Sequence, residues 1–315
     1  MSGERSDEIV VVGGGVVGLT TAVVLAERGR RVRMWTRDSA EATTSAVAGA
    51  LWWPYRIEPL ELARVWALRT LEVYEELAAR EVRSGVRVVE GVLGGTRLDE
   101  VEGWLAGRVP LRAATAGEYA GPAVRARLPL LDMPAHLPWL RERFVAAGGV
   151  VEARTVSSFT EAEAPVVINC TGLAARELVP DESVRPVRGQ LVVVENPGID
   201  TWLVCEDASG QSAYMFPQPG GLVLGGTAEE DAWSLEPDPA TAEAIVRRCA
   251  ALRPEIAGAR VLAHRVGLRP ARPTVRLESE PLPDGRLLVH NYGHGGAGVT
   301  VAWGCAEEAA RLALG

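Results

Sequence analysis

Apolar runs and turn residues alternate most sharply in the first forty positions. Ile9, Val10, Val11 and Val12 form an unbroken apolar run, too short for a helix, which predicts a buried strand over residues 9–12. Gly13, Gly14, Gly15 and Gly18 follow at once, and residues 19–28 then take up a helical pattern that Gly29 ends. A second apolar run at residues 32–35 completes strand, glycine turn, helix and strand, the βαβ unit of a dinucleotide-binding fold. In such a unit Gly13 permits the tight turn, Gly15 lets the backbone approach a pyrophosphate, and Gly18 lets the helix pack on the strand. The helix start at Val16 and Val17 offers unpaired N–H groups to an anion.

Farther on, residues 56–85 show helical spacing, 86–92 read as strand, and 138–147 as a short amphipathic helix. Residues 149–153 and 166–170 then read as strands, the second a continuous apolar run ended by Thr171 and Gly172, as at the carboxyl edge of a nucleotide-binding sheet. The chain thus leaves the first unit and returns to it. Alternating stretches at 190–194, 213–216 and 222–225, with Pro and Gly between them, predict an antiparallel sheet. Residues 287–290, a glycine-rich turn and residues 299–314 repeat the order strand, turn, helix.

Composition narrows the chemistry. The chain has 315 residues, and 41 acidic against 33 basic side chains leave a net charge of -8, which argues against a nucleic-acid backbone binder. There is no lysine, so Schiff-base chemistry and the phosphate-loop lysine are excluded. No apolar run reaches the 18 or so residues of a membrane span, and the polar start lacks a signal-peptide layout; a soluble, cytosolic protein is expected. Cys170, Cys205, Cys249 and Cys305 lie far apart without a CxxC pair, and the four histidines show no ligand or triad spacing, so no metal site is expected. An acid about 20 positions past the glycines commonly takes the ribose hydroxyls. Asp38 comes slightly late with Arg37 before it, so either could meet the adenosine half, and both could equally be solvated turn residues.

Several separated motifs resemble the D-amino acid oxidase family of flavoenzymes. They are residues 13–18; residues 43–52 (TTSAVAGALW); residues 167–172 (VINCTG); Arg188, Gly189 and Gln190; residues 267–273 (GLRPARP); and residues 290–300 (HNYGHGGAGVT). They run in family order over nearly the whole chain. The resemblance implies an α/β fold in which a discontinuous Rossmann-like FAD-binding domain (1–55, 146–188 and 264–315) is interleaved with an α+β substrate domain (56–145 and 189–263) built on a mainly antiparallel sheet. It implies FAD as cofactor and a D-amino acid and O2 as substrates. It leaves a homodimer open without fixing the oligomeric state.

The residues suit that chemistry. Arginine's planar fork can hold a carboxylate bidentately, and Arg269 stands between Leu268 and Pro270 in an apolar, rigid stretch where an idle charge is costly. On the residues alone a structural arginine would be an equal reading. The resemblance makes Arg269 the substrate-carboxylate ligand, Tyr214 its hydroxyl partner, and the Gly296 carbonyl the acceptor for the amine. It places Gly295, Gly296, Ala297, Gly298, Val299 and Thr300 against the flavin. It further assigns Thr43, Thr44, Ser45, Gly49, Ala50 and Leu51 to a loop around the cofactor, Val156 to an adenine contact, and Thr171 and Gly172 to the cofactor edge. Leu51, Trp53, Tyr55 and Phe216 become pocket walls. Trp53 replaces a polar residue of some relatives, which favours neutral or apolar side chains. The segment from Cys205 to Gly210 looks shorter than the family's lid, with Gly210 where some members carry a second tyrosine. Arg272 reads as a structural ion-pair partner, and His294 as a structural hydrogen-bonding residue.

The implied reaction is oxidative deamination. The α-hydrogen leaves as hydride to flavin N5, the imino acid hydrolyses to a 2-oxo acid and ammonia, and O2 becomes hydrogen peroxide. The rivals are a related oxidase of glycine, sarcosine or D-aspartate, and a nucleotide-binding regulatory module for which the βαβ unit alone would suffice.

Overall fold

The computed structural model describes residues 8–105, 107–206 and 210–315, so residues 207–209 of the segment expected to be a shortened lid lie outside the described residues. The chain opens with β1 (Glu8–Val12), α1 (Val16–Glu27) and β2 (Arg31–Thr36). Ten of the twelve residues of α1 are buried, because it is apolar all round and packed on both sides. Gly29 ends it in the left-handed region, at φ 76°. After a short α2 (Thr44–Val47) comes the long α3 (Leu60–Arg80), then β3 (Val86–Gly94), α4 (Leu98–Leu105), β4 (Leu111–Ala113) and β5 (Ala123–Leu131). The chain returns through α5 (Met133–Ala146), β6 (Val150–Ala153), β7 (Val166–Asn169) and α6 (Ala175–Leu178). It then builds β8 (Arg185–Val194), β9 (Trp202–Glu206), β10 (Ser212–Gln218), β11 (Gly221–Gly225), β12 (Glu229–Glu230) and α7 (Pro239–Leu252). It ends in β13 (Val261–Pro281), β14 (Leu287–His294) and α8 (Gly298–Leu314).

The strands form one mixed sheet. One half is parallel, in the order β14, β7, β1, β2, β6, with Ile9 facing Val32 on one side and Val166 on the other. The other half runs β4, β5, β3, β9, β10, β11, β8, β13 and is antiparallel except between β3 and β9. The 21-residue β13 joins them: its first part pairs with β8 and its second with β14, with a register shift between Ala271 and Arg276. Arg269, opposite Val187, and Ala271, opposite His294, therefore stand where the two halves meet. Helices α1, α5 and α8 pack together on the parallel half, α3 packs on α8 and reaches across to β3 and β5, and α7 lies against β8, β10 and β11.

Two elements differ from the sequence reading. The helix expected over 56–85 is α3, which starts only after Pro59 and stops before Glu81. The helix expected from residue 138 begins five residues earlier, at Met133. Pro134 sits in its first turn, where no donor is lost, and Pro138 forgoes only one bond, to the carbonyl of Pro134, so the helix tolerates a proline that looks like its start.

Candidate active site

A cavity of about 1150 Å³ runs from the β1–α1 turn along the loop after β2 to the junction of the two half-sheets. Sites for drug-sized ligands span roughly 300–1000 Å³, so this one has room for a dinucleotide and a small second molecule. Its wall includes Gly13, Gly15, Val16, Val17, Arg37, Asp38, Thr43, Thr44, Ser45, Gly49, Ala50, Leu51, Val156, Thr171 and Gly172. At the other end it includes Trp53, Tyr55, Tyr214, Phe216, Arg269, Gly295, Gly296, Gly298, Val299 and Thr300. Gly18 and Ala297 stand off the wall. A Cβ on Gly18 would overlap the Gly13 carbonyl oxygen, so this glycine serves helix packing, and Ala297 is fully buried beneath the turn.

At the dinucleotide end, Gly13 has φ +120° and a Cβ there would overlap the Cys170 carbonyl. Gly15 differs. Its Cβ would meet only Ser45 Oγ, at 3.1 Å, so its face is open to the cavity. The Val16 N–H donates to Ser45 Oγ at 3.0 Å, and no side chain of the Gly15 cap closes the N-terminus of α1, which leaves its positive end to an anion. Among the hydroxyls that the resemblance puts at the cofactor, Thr171 donates to Asn169 Oδ1 at 2.7 Å, and of the other four three are likewise donors to the chain itself. Thr43 donates to Ala40 O (2.6 Å), Thr44 to Leu268 O (3.1 Å) and Thr300 to Trp53 O (2.8 Å). These three can offer a ligand only oxygen lone pairs, whereas Ser45 accepts from Val16 and keeps its proton to give. Asp38 pairs with Arg37 at 2.7 Å, so the two adenosine candidates are tied to one another. Sequence reasoning missed Arg154, which lines the cavity and places its guanidinium 3.9 Å from the centre of the buried Trp35 ring. Among 33 basic residues it carried no signal of its own.

The junction end is built around Arg269. Its guanidinium lies against Gly189 of β8, and its Nη1 donates to Thr227 O at 3.0 Å. Among the described residues no carboxylate lies within ion-pair range of Arg269, whereas Arg272 pairs with Asp181 at 2.9 Å and Arg188 with Glu229 at 2.8 Å. Tyr214 stacks on Phe216, ring centres 4.8 Å apart, and lies against Gly225 and Gly226. Burial raises the Tyr214 pKa and the Arg269 charge offsets part of that rise, so the phenol stays protonated and can donate. Gly296 leaves room for Tyr55, whose Cδ1 would stand 2.6 Å from a Cβ at that position.

His294, read from the sequence as a structural hydrogen-bonding residue, is buried. It lines the cavity, burial pushes its pKa down to about 4, and its Nε2 finds no hydrogen-bond partner among the described residues. Packed at the end of β14 against β13, it is a neutral imidazole.

The lining fits FAD and a small acid beside it: a glycine face where a side chain would fill the trough, a helix start whose Gly15 cap offers no side chain, and at the far end an arginine without a carboxylate partner among the described residues. The sequence pattern of the FAD dependent oxidoreductase family matches residues 8–312. The chain is similar to the D-amino-acid oxidase of Streptomyces coelicolor, 76% identical over 312 residues that span 98% of each chain. It is 51% identical to that of Rubrobacter xylanophilus, over 99% of this chain and 98% of the relative. Among solved structures, glycine oxidase from Geobacillus kaustophilus shares the fold, with a TM-score of 0.80 at 21% identity over 97% of this chain and 94% of that one. A match over almost the whole length, on a fold whose cavity is shaped for a dinucleotide, means that the chain belongs to the FAD-dependent oxidoreductase family.

Proposed function

We propose that the protein is an FAD-dependent D-amino acid oxidase acting on neutral, apolar D-amino acids, with the parallel half of the sheet holding the cofactor and the antiparallel half the substrate. One observation carries this reading: a cavity-facing arginine without a carboxylate partner among the described residues, Arg269, stands beside a protonated phenol, Tyr214, in the same cavity as the dinucleotide trough. A planar guanidinium matches a carboxylate, and a half-buried one left without a carboxylate awaits its counter-ion from the ligand.

In this reading the substrate carboxylate pairs with the Arg269 fork and accepts a hydrogen bond from the Tyr214 hydroxyl. The backbone carbonyl of Gly296 accepts from the amine. These contacts hold the α-carbon in one orientation, which is the main contribution asked of the protein. FAD, when bound, supplies the hydride acceptor and passes the electrons on to O2 as peroxide. No side chain has to take a proton from the α-carbon if the amine arrives neutral. His294, neutral and buried, is not a base in this scheme. Leu51, Trp53, Tyr55 and Phe216 offer apolar walls, which suit a neutral side chain better than an acidic one. The imino acid released hydrolyses in water to a 2-oxo acid and ammonia.

The test is anaerobic loss of the visible flavin absorption on adding D-alanine, D-valine, D-phenylalanine, D-aspartate, glycine and the L-enantiomers separately. Bleaching by neutral D-amino acids alone supports the reading. Bleaching by glycine or D-aspartate in preference, or by none of them, overturns it.

A further inference from the structure

The segment between β12 and α7 is fastened by two side chains of β8. Arg188 is 4% exposed, and its guanidinium spends its donors on four partners. It bonds Glu229 Oε1 at 2.8 Å, Gln190 Oε1 at 2.9 Å, and the carbonyls of Ser234 (2.9 Å) and Glu236 (2.7 Å). Gln190 completes the fastening, accepting from Asp238 N at 2.9 Å and donating to Asp238 O at 2.8 Å. Residues 229, 234, 236 and 238 are thereby pinned. Trp233 and Leu235, next to the pinned carbonyls, both line the main cavity, yet they are 55% and 60% exposed. Two large apolar side chains held open on the rim of a cavity form a surface that a ligand would cover.

The same strand supports the carboxylate site. Gly189, between the two fastening residues, is the floor under Arg269, and the Gln190 N–H donates to Thr227 Oγ1 at 3.0 Å while Thr227 O accepts from Arg269. Burying an arginine is costly, and well-packed apolar residues often stabilise a fold as well or better. Its use here is geometric: one rigid fork sets the height of a wall relative to the residue that holds the substrate's carboxylate.

We propose that Arg188 is a positioning residue that presets Trp233 and Leu235 as a side-chain wall, so that the enzyme selects D-amino acids with large apolar side chains over small ones. This inference rests on the oxidase reading above. Covering about 60 Å² of exposed apolar surface is worth about tenfold in kcat/KM at the usual transfer value.

The experiment is steady-state peroxide formation by the holoenzyme with D-phenylalanine, D-leucine and D-alanine, for wild type, Trp233→Ala, Arg188→Met and the double variant. Trp233→Ala is expected to lower kcat/KM for D-phenylalanine about tenfold more than for D-alanine, through KM rather than kcat. Arg188→Met is expected to shift the same ratio, and the double variant to shift it no further than the larger single change. An unchanged ratio in Trp233→Ala, or ratio changes that add in full, overturns the proposal. A merely structural arginine would lower activity on all three substrates alike. Because Trp233 is more than half exposed, its variant decides the matter even if Arg188→Met does not fold. A wild-type enzyme that oxidises no D-amino acid removes the oxidase reading itself, a separate outcome.

Discussion

The guanidinium of Arg269 rests on Gly189 of the neighbouring strand so closely that a Cβ at residue 189 would lie within 3.0 Å of its Cζ and both terminal nitrogens. Strand β8 is buried throughout its central stretch and cannot step aside, so Arg269 would have to yield. Gly189→Ala is therefore expected to move the carboxylate ligand by about an ångström and to lower kcat/KM by roughly 100-fold, mostly through KM. The fraction of protein carrying FAD should stay high, since the contact is between β8 and β13 and leaves the β1–α1 turn untouched. Kinetics on D-alanine beside the absorbance ratio of flavin to protein checks both halves of the statement.

The two turn glycines should separate folding from cofactor binding. Gly13 has φ +120° and a blocked Cβ direction, so Gly13→Ala strains the backbone and pushes on Cys170; a loss of stability of about 2 kcal/mol or more is expected. Gly15 has no such conflict, its Cβ meeting only Ser45 Oγ at 3.1 Å. Gly15→Ala apoprotein should melt near the wild-type temperature but bind FAD at least 10-fold more weakly, because the methyl group fills space the pyrophosphate would take. Calorimetry of apoprotein and fluorescence titration with FAD read the two effects independently.

What was legible in the sequence was local. The βαβ unit shows because its apolar run, glycines and helix are contiguous, and β1, α1 and β2 stand where the pattern placed them. Arg269 is a different case. Nothing within its own neighbourhood distinguishes it from the other basic residues except its apolar flanks; its position follows from β13 crossing from β8 to β14, pairings that span about 80 residues on one side. The stacking of Arg154 on Trp35 joins two strands 119 positions apart, and no periodicity reports it. The error at α5 has the opposite origin, a strong local signal, Pro138, that the helix overrides at the expense of a single backbone bond.

Buried histidines set an acid limit on stability, two of the three most strongly. Burial pushes the pKa of His136 and of His294 from 6.5 down to about 4. His136 lies between Tyr74 and Trp139, with Nδ1 2.8 Å from the Ser84 carbonyl, and among the described residues neither histidine has a carboxylate to favour its charged form. Between these two values the unfolded chain binds the protons and the folded chain does not, so stability falls as pH falls. Each histidine contributes a loss of about 3 kcal/mol from pH 6.5 to pH 4, complete only when the folded protein itself is protonated. The melting temperature should accordingly be level near neutrality and drop steeply below pH 6. His136→Gln, which removes one of these titrations while that of His290, also lowered by burial, remains, should reduce that slope; an unchanged slope would show that His136 does not contribute to it.

Arg269 and Arg272 lie three residues apart on β13, and the structure gives them opposite circumstances. Arg272 Nε meets Asp181 Oδ2 at 2.9 Å, and the same carboxylate oxygen accepts from Tyr292 OH at 2.7 Å. The Ser183 and Tyr292 hydroxyls and the Arg272 guanidinium overcome burial and hold the Asp181 carboxyl well below the usual range, so this pair is ionised at neutral pH. Arg269 has no such carboxylate among the described residues. Removing each should therefore cost a different property. Arg272→Ala leaves a largely buried aspartate without its ion-pair partner, with Asp181 only 10% exposed, and is expected to cost about 2 kcal/mol of stability, several degrees in melting temperature. Arg269→Ala removes a charge with no carboxylate partner among the described residues and only a hydrogen bond to the Thr227 carbonyl, so the melting temperature should fall little or even rise, while kcat/KM for D-amino acids falls by about 2–5 kcal/mol of binding, roughly 30-fold to several thousand-fold. Differential scanning calorimetry and flavin-reduction kinetics on the two variants side by side test this assignment. Should Arg272→Ala lose substrate binding while Arg269→Ala loses stability, the carboxylate ligand has been placed on the wrong arginine.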